Sequence, residues 1–282
     1  MKRPTPASFP RDSIIAAEIT RHSGDKPPTG DSDWLAREEP LEIRVRGHGI
    51  AVTMRTPGHD AELACGFLYS EGLLHRRGDV TEVAPCETGE NARHGNILNV
   101  FVAPSVQINF DRLTRHIFAS SSCGLCGKST IESVHQNFPP ITNTPQFSPE
   151  IIRSLPDKVR PTQAAFEKTG GLHAAALFDL AGNLLVLRED VGRHNAVDKI
   201  LGWAFLHEKL PLSSQILFVS GRASFEIIQK ALAARIPIIA AVSAPSSLAV
   251  DFARQSGQTL IAFLRGASFN VYSPILESPK TH

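Results

Sequence analysis

Two of the chain's four cysteines, Cys123 and Cys126, stand three positions apart in Ser120-Ser121-Ser122-Cys123-Gly124-Leu125-Cys126-Gly127-Lys128-Ser129. A close thiol pair suits metal binding, dithiol redox or sulfur transfer. A closed zinc site needs four nitrogen or sulfur ligands, usually as two close pairs. Cys65 and Cys86 form no second pair, and no two of the eleven histidines lie three to five residues apart. Zinc deaminases combine Pro-Cys-x-x-Cys with His-x-Glu; here Ser122 precedes Cys123 and His-x-Glu does not occur. The missing ligands weigh against zinc. Gly127-Lys128-Ser129 mimics the end of a P-loop, but Ser122 stands where that motif requires its first glycine.

Dithiol redox normally places the pair at a helix start that lowers a thiol pKa. The flanking glycines and serines favour a mobile loop instead, so redox stays open without local support. Sulfur carriage needs an accessible thiolate on a tether that visits two partners in turn. Lys128 favours ionisation of the nearby thiol, and Cys126 can attack a persulfide on Cys123 and close a disulfide. Two incidental thiols in a loop remain the plain alternative. Cys65 falls in an apolar helical stretch and reads as core, and Cys86 takes no role.

A second set of chemistry-bearing residues recurs where helices are expected to begin. Its three turns are Asp190-Val191-Gly192-Arg193-His194-Asn195, Ser220-Gly221-Arg222-Ala223-Ser224 and Ser243-Ala244-Pro245-Ser246-Ser247. Free N–H groups and the positive dipole end at helix starts suit phosphate, and Arg193 and Arg222 add bidentate donors. Any one turn is explained by Ser224 or Ser246 as an N-cap and by glycine as a turn residue. Three in succession, two with Arg, favour a phosphorylated or nucleotide-bearing ligand touching Arg193, His194, Ser220, Gly221 and Arg222. Asp190 and His194 also carry acid–base groups. A helix-start hydrogen bond is the competing role for Asp190.

The elements that must position these residues follow from periodicity. Residues 1–33 are polar and rich in Pro, Gly and Ser, and read as a mobile tail. Alternation over residues 41–45 and 50–54 around Gly47-His48-Gly49 predicts a hairpin, and residues 60–74 a helix. Strands are expected at residues 81–85 and 97–103, which makes residues 34–138 a small α+β domain ending in the cysteine loop. Six prolines between 139 and 162 mark a connector with a short helix starting at Ser148-Pro149-Glu150. Residues 173–180 and 184–189 read as a second hairpin. Helices at 195–209, 224–235 and 246–256 then alternate with strands at 216–219, 238–242 and 259–264, and residues 269–272 add a last strand. Residues 163–276 thus form an α/β domain with a mostly parallel sheet covered on both faces, its turns gathered at the carboxyl edge.

Composition narrows the function classes. The 282 residues carry 29 Lys plus Arg and 28 Asp plus Glu, a net charge of +1, so no global field draws the chain to nucleic acid or acidic lipid. With 42% hydrophobic and 20% charged residues the chain is built to fold. No apolar run reaches the ~20 residues of a membrane span or resembles a signal peptide, which points to a cytoplasmic protein with reduced thiols.

Several segments together resemble the formate dehydrogenase accessory sulfurtransferase family, FdhD/NarQ. They are Glu38-Glu39-Pro40-Leu41, Met54-Arg55-Thr56-Pro57-Gly58-His59-Asp60, Gly66-Phe67-Leu68-Tyr69-Ser70-Glu71-Gly72, the Cys123–Cys126 loop, Thr169-Gly170-Gly171-Leu172-His173, the Glu189-Asp190-Val191-Gly192-Arg193-His194-Asn195-Ala196-Val197-Asp198-Lys199 run and Val219-Ser220-Gly221-Arg222. The resemblance covers roughly residues 38–275. It implies a sulfur carrier that takes sulfur from a cysteine desulfurase as a persulfide on Cys123, with Cys126 as its neighbour. The sulfur passes to the molybdenum (or tungsten) bis(molybdopterin guanine dinucleotide) cofactor before its insertion into formate dehydrogenase. A homodimer, a cytidine deaminase-like fold for the second domain and a cofactor-binding segment at Phe263-Leu264-Arg265-Gly266-Ala267-Ser268 are implied as well. The pyrophosphates of such a cofactor match the anion-ready turns. Two other functions stay in view: a cofactor chaperone without sulfur transfer, and a dithiol oxidoreductase.

Overall fold

The computed structural model describes residues 13–86, 95–108, 135 and 137–273. Cys123 and Cys126 lie outside the described residues. The first element is a two-stranded antiparallel ribbon, β1 (Ile14–Arg21) and β2 (Thr29–Ala36). It corrects the expected tail over residues 14–33. The ribbon's strands are exposed over most of their length, so they lack the buried alternating face that makes a strand legible.

A four-stranded sheet follows, in the order β4-β3-β6-β5: β3 (Glu39–Val45), β4 (His48–Arg55), β5 (Val80–Pro85) and β6 (Ile97–Val102). The predicted hairpin is its β3–β4 pair. Leu41, Ile43 and Val45 face inward against Leu63, Ala64 and Leu68 of α1 (Asp60–Ser70). The helix ends earlier than periodicity suggests, with Gly72 in a left-handed conformation just beyond it.

Helix α2 (Pro149–Val159) begins where expected, with Ser148 as N-cap accepting from Ile151 N, and α3 (Ala164–Thr169) precedes the second sheet. That sheet runs β12-β11-β10-β9-β7-β8, from β7 (His173–Asp179), β8 (Leu184–Asp190), β9 (Gln215–Val219), β10 (Ile238–Ala241), β11 (Thr259–Arg265) and β12 (Ser268–Ser273). Only the β9–β10 and β10–β11 pairings are parallel. The sheet is therefore mixed, not mostly parallel: the β7–β8 hairpin docks antiparallel on β9, and β12 turns back along β11.

Three helices, α4 (Arg193–Leu206), α5 (Phe225–Ala233) and α6 (Ser247–Gln255), cover one face through Val197, Ile200, Ile228 and Phe252. The opposite face packs on α2 through Ile152, Leu155 and Val159. The two sheets join across α1 and α4. A Cβ on Gly66 would lie 1.8 Å from Asp198 O, and one on Gly202 would lie 1.7 Å from Glu62 O. Both glycines are thus demanded by the close approach of the helix backbones. Phe205 of α4 is buried in the core of the first sheet.

Candidate functional site

Strand direction decides where the predicted turns meet. β8, β9, β10 and β11 all run one way, so their carboxyl ends share an edge with the amino ends of β7 and β12. The mixed pairing leaves the expected gathering of turns intact. From β8 to β11 this edge spans roughly 19 Å, at about 4.8 Å per strand.

In the first turn Asp190 looks inward. Its Oδ1 accepts from Gly192 N at 2.8 Å and Asn195 Nδ2 at 2.9 Å, and its Oδ2 accepts from Thr56 N at 3.2 Å and pairs with Lys199 Nζ at 2.7 Å. Lys199 Nζ also donates to Thr56 O and Glu189 O, while Asn195 donates to Met54 O. This buried network fastens the end of β4 to the start of α4. Of the roles open to Asp190, the structure assigns positioning; acid–base work would cost it those partners. Arg193 opens α4, whose N-cap is Gly192 and carries no capping side chain. The Arg193 Nε is buried without a hydrogen-bond partner.

His194 and the second turn are joined. The His194 Nε2 lies 3.0 Å from both Ser224 Oγ and Glu226 Oε2. That bond holds the Glu226 carboxyl below its ordinary pKa. Ser224 is the N-cap of α5, but its side chain makes no capping bond. Ser246, in contrast, does cap α6, accepting from Ala249 N at 3.2 Å. Capping therefore accounts for the third turn and leaves the first two open. Ser220 stitches β9 to β7, its Oγ accepting from Ala174 N at 2.9 Å. Arg222 is exposed and has no hydrogen-bond or ion-pair partner among the described residues.

The last segment reaches the same edge. Phe263, at φ 53° in a bulge of β11, donates its N–H to Ser243 O at 3.2 Å. Arg265 Nε donates to Val242 O at 3.3 Å, and its guanidinium sits 5.9 Å from the Phe263 ring centre. Gly266 and Ala267 turn the β11–β12 hairpin between the paired Arg265 and Ser268, and all four are exposed. Leu264 is the exception: its side chain is buried in the core and does not face the edge.

His173 is the residue that sequence reasoning missed. As the first residue of β7 it stands beside the second turn, because β7 runs against β9. A Cβ on Gly221 would come 3.2 Å from His173 Nδ1 and 3.7 Å from Arg193 Cβ. Burial and the Arg193 charge lower its pKa from the ordinary value. Glu226 was missed too. His173 belongs to no helix start, and only the strand order brings it in; Glu226 lies in the first turn of α5, directly after the second predicted turn.

Away from this edge, a cavity of about 160 Å³ lies between Thr56, His59, Leu172, Glu189 and Lys199. Its charged walls are already engaged: Glu189 accepts from Ala165 N and Phe166 N, and Lys199 donates to Thr56 O, Glu189 O and the Asp190 carboxylate. The edge, by comparison, holds Arg193 and Arg222, which have no hydrogen-bond or ion-pair partner among the described residues.

Fold and edge together define a mixed α/β protein with a row of helix-start turns along one sheet edge. The family profile of FdhD/NarQ matches residues 36–276, and the chain belongs to that family. It is 52% identical over 246 residues to the sulfur carrier protein FdhD of Streptomyces coelicolor, covering 86% of this chain and 87% of the relative. The sulfur carrier protein FdhD of Mycobacterium tuberculosis is 51% identical over 248 residues, covering 86% and 90%. That of Sulfurisphaera tokodaii is 44% identical over 246 residues, covering 86% and 91%. A crystal structure from Desulfotalea psychrophila, described as a formate dehydrogenase accessory protein, superposes with a TM-score of 0.73 at 24% identity. It covers 92% of this chain and 97% of its own and shares the fold.

Proposed function

We propose that the chain is a sulfurtransferase of formate dehydrogenase maturation. It accepts sulfur from a cysteine desulfurase as a persulfide on Cys123 and passes it to the molybdenum bis(molybdopterin guanine dinucleotide) cofactor, its cargo. The cofactor then enters formate dehydrogenase. Family membership and the sulfur-carrier names of the relatives support the transfer. The observation that carries the cargo assignment is the edge itself: two helix starts without a side-chain cap, with Arg193 and Arg222 making no ion pair among the described residues. A pyrophosphate supplies the acceptors those donors want. Arg265, Gly266 and Ser268 lie further along the same edge, where an extended nucleotide continues.

In the proposed chemistry the Cys123 thiolate attacks the outer sulfur of the donor's persulfide. The donor's sulfur–sulfur bond breaks and its thiolate leaves, so no external oxidant enters. Cys126 then attacks the inner sulfur, expelling hydrosulfide and closing a Cys123–Cys126 disulfide, which a reductant must reopen. The described flanks of this segment lie at the far end of the molecule. The end of β6 points away from Arg55, and His135 Nε2 meets Ser256 Oγ at 3.1 Å, at the carboxyl end of α6. Cys123 stands twelve positions before His135, a contour of at most roughly 40 Å. The strands between the two ends are 4 to 7 residues long, about 13–24 Å. The tether is therefore long enough. A cytoplasmic homodimer completes the proposal.

Guanosine diphosphate binding tests the edge. Arg222→Ala should weaken it about tenfold or more, since a charge-assisted hydrogen bond is lost. Unchanged affinity would remove the cargo assignment from this edge.

A further inference from the structure

We propose that His173 is the proton-accepting member of the anion edge, taking up a proton from solvent when a phosphate group docks between its ring, Arg193 and Gly221. The inference rests on the reading of this edge as a pyrophosphate site and adds to it a residue and a linkage.

Geometry places the ring there. His173 opens β7 at the carboxyl edge, and the bare backbone of Gly221 separates it from Arg193. A side chain on Gly221 would fill that cradle, with its Cβ 3.2 Å from the imidazole. Among the described residues neither ring nitrogen of His173 has a hydrogen-bond partner. His194 differs, since Ser224 and Glu226 already hold its Nε2. Among the described residues His173 therefore has both ring nitrogens available to a ligand.

The surroundings set its charge. Arg193 and His194 approach from α4, Arg222 from the turn after β9, and Asp190 from the end of β8. Asp190 is spent on Lys199, Asn195, Gly192 and Thr56, so the cations dominate. Burial first, and then these positive neighbours, depress the His173 pKa, so the free protein carries it neutral at pH 7. A neutral ring spares the edge another like charge. A docked phosphate reverses the field and raises the pKa, so a proton binds with the ligand. Between the free and bound values of that pKa, affinity must fall as pH rises, by about tenfold per pH unit for one whole proton.

Calorimetric titration of guanosine diphosphate into the full chain at pH 6, 7 and 8, in buffers of different ionisation heat, measures this directly. Comparing wild type with His173→Gln cancels the nucleotide's own protonation. The wild type should take up more protons and lose affinity more steeply from pH 6 to 8. Equal proton uptake and equal slope in the two proteins would overturn the assignment to His173. Should His173→Gln fail to fold, the His173 ring resonance of the wild type must titrate below an ordinary histidine and move up on adding nucleotide. An unmoved titration overturns the proposal equally. Absence of any nucleotide binding by wild type would instead overturn the reading of the edge, and this inference with it.

Discussion

Both carboxylate oxygens of Asp190 take two donors each, inside a run that the sequence marks as chemistry-bearing. The same residue types that suggest acid–base work here build a joint between β4 and α4. Removing one member of a buried ion pair leaves the other charged and unpaired, so Asp190→Ala should lower the unfolding free energy by about 3–5 kcal/mol. Urea unfolding followed by circular dichroism checks this, and a loss within ~0.5 kcal/mol would contradict the role. The ambiguity could not be resolved from sequence, because Thr56 and Met54 lie more than 130 residues away from their partners. Arg193, Arg222 and His194 were legible as edge residues from their place at helix starts. His173 was not, since a strand start carries no such signal. Cys65 was legible as core: it is fully buried, and burial pushes its thiol up to about 12.

Gly66 and Gly202 hold the two sheets together by what they lack. The backbones of α1 and α4 approach so closely that any Cβ at the crossing meets a carbonyl group. Gly202→Ala should therefore cost about 3 kcal/mol or more, above the usual range for overpacking because backbone, not a side-chain tip, must yield. Thermal unfolding of the variant checks the sign and size; an unchanged midpoint would mean that the helices part without penalty. Most elements were legible because their apolar residues repeat at 2 or 3.6 positions, as in β3 or α2. The β1–β2 ribbon was not, for its strands are mostly exposed and their apolar residues do not alternate with polar ones. The order β8-β7-β9 escaped periodicity as well, since a hairpin can dock on either side of its neighbour. Expecting a mostly parallel sheet followed from counting strand–helix alternations without that choice.

The whole molecule sets the row of helix-start turns at one end, and the described flanks of the cysteine segment, around Val106 and His135, lie toward the other. Near-neutral net charge conceals this polarity, because Arg193, Arg222 and Arg265 gather on one edge while the acids near them are engaged elsewhere. In the proposed function cargo binding and sulfur handling fall to different segments of the sequence, and each should survive loss of the other. Cys123→Ala should abolish sulfur transfer yet bind guanosine diphosphate within about twofold of wild type, since the proposed phosphate contacts come from Arg193, Gly221 and Arg222. The central claim is the persulfide itself. Peptide mass spectrometry of the full chain, after incubation with a cysteine desulfurase and free cysteine, reads it directly. The account predicts one added sulfur atom on the peptide containing Cys123, absent in Cys123→Ala. Unmodified Cys123 under conditions that load a known sulfur acceptor would contradict it and leave a cofactor chaperone in its place.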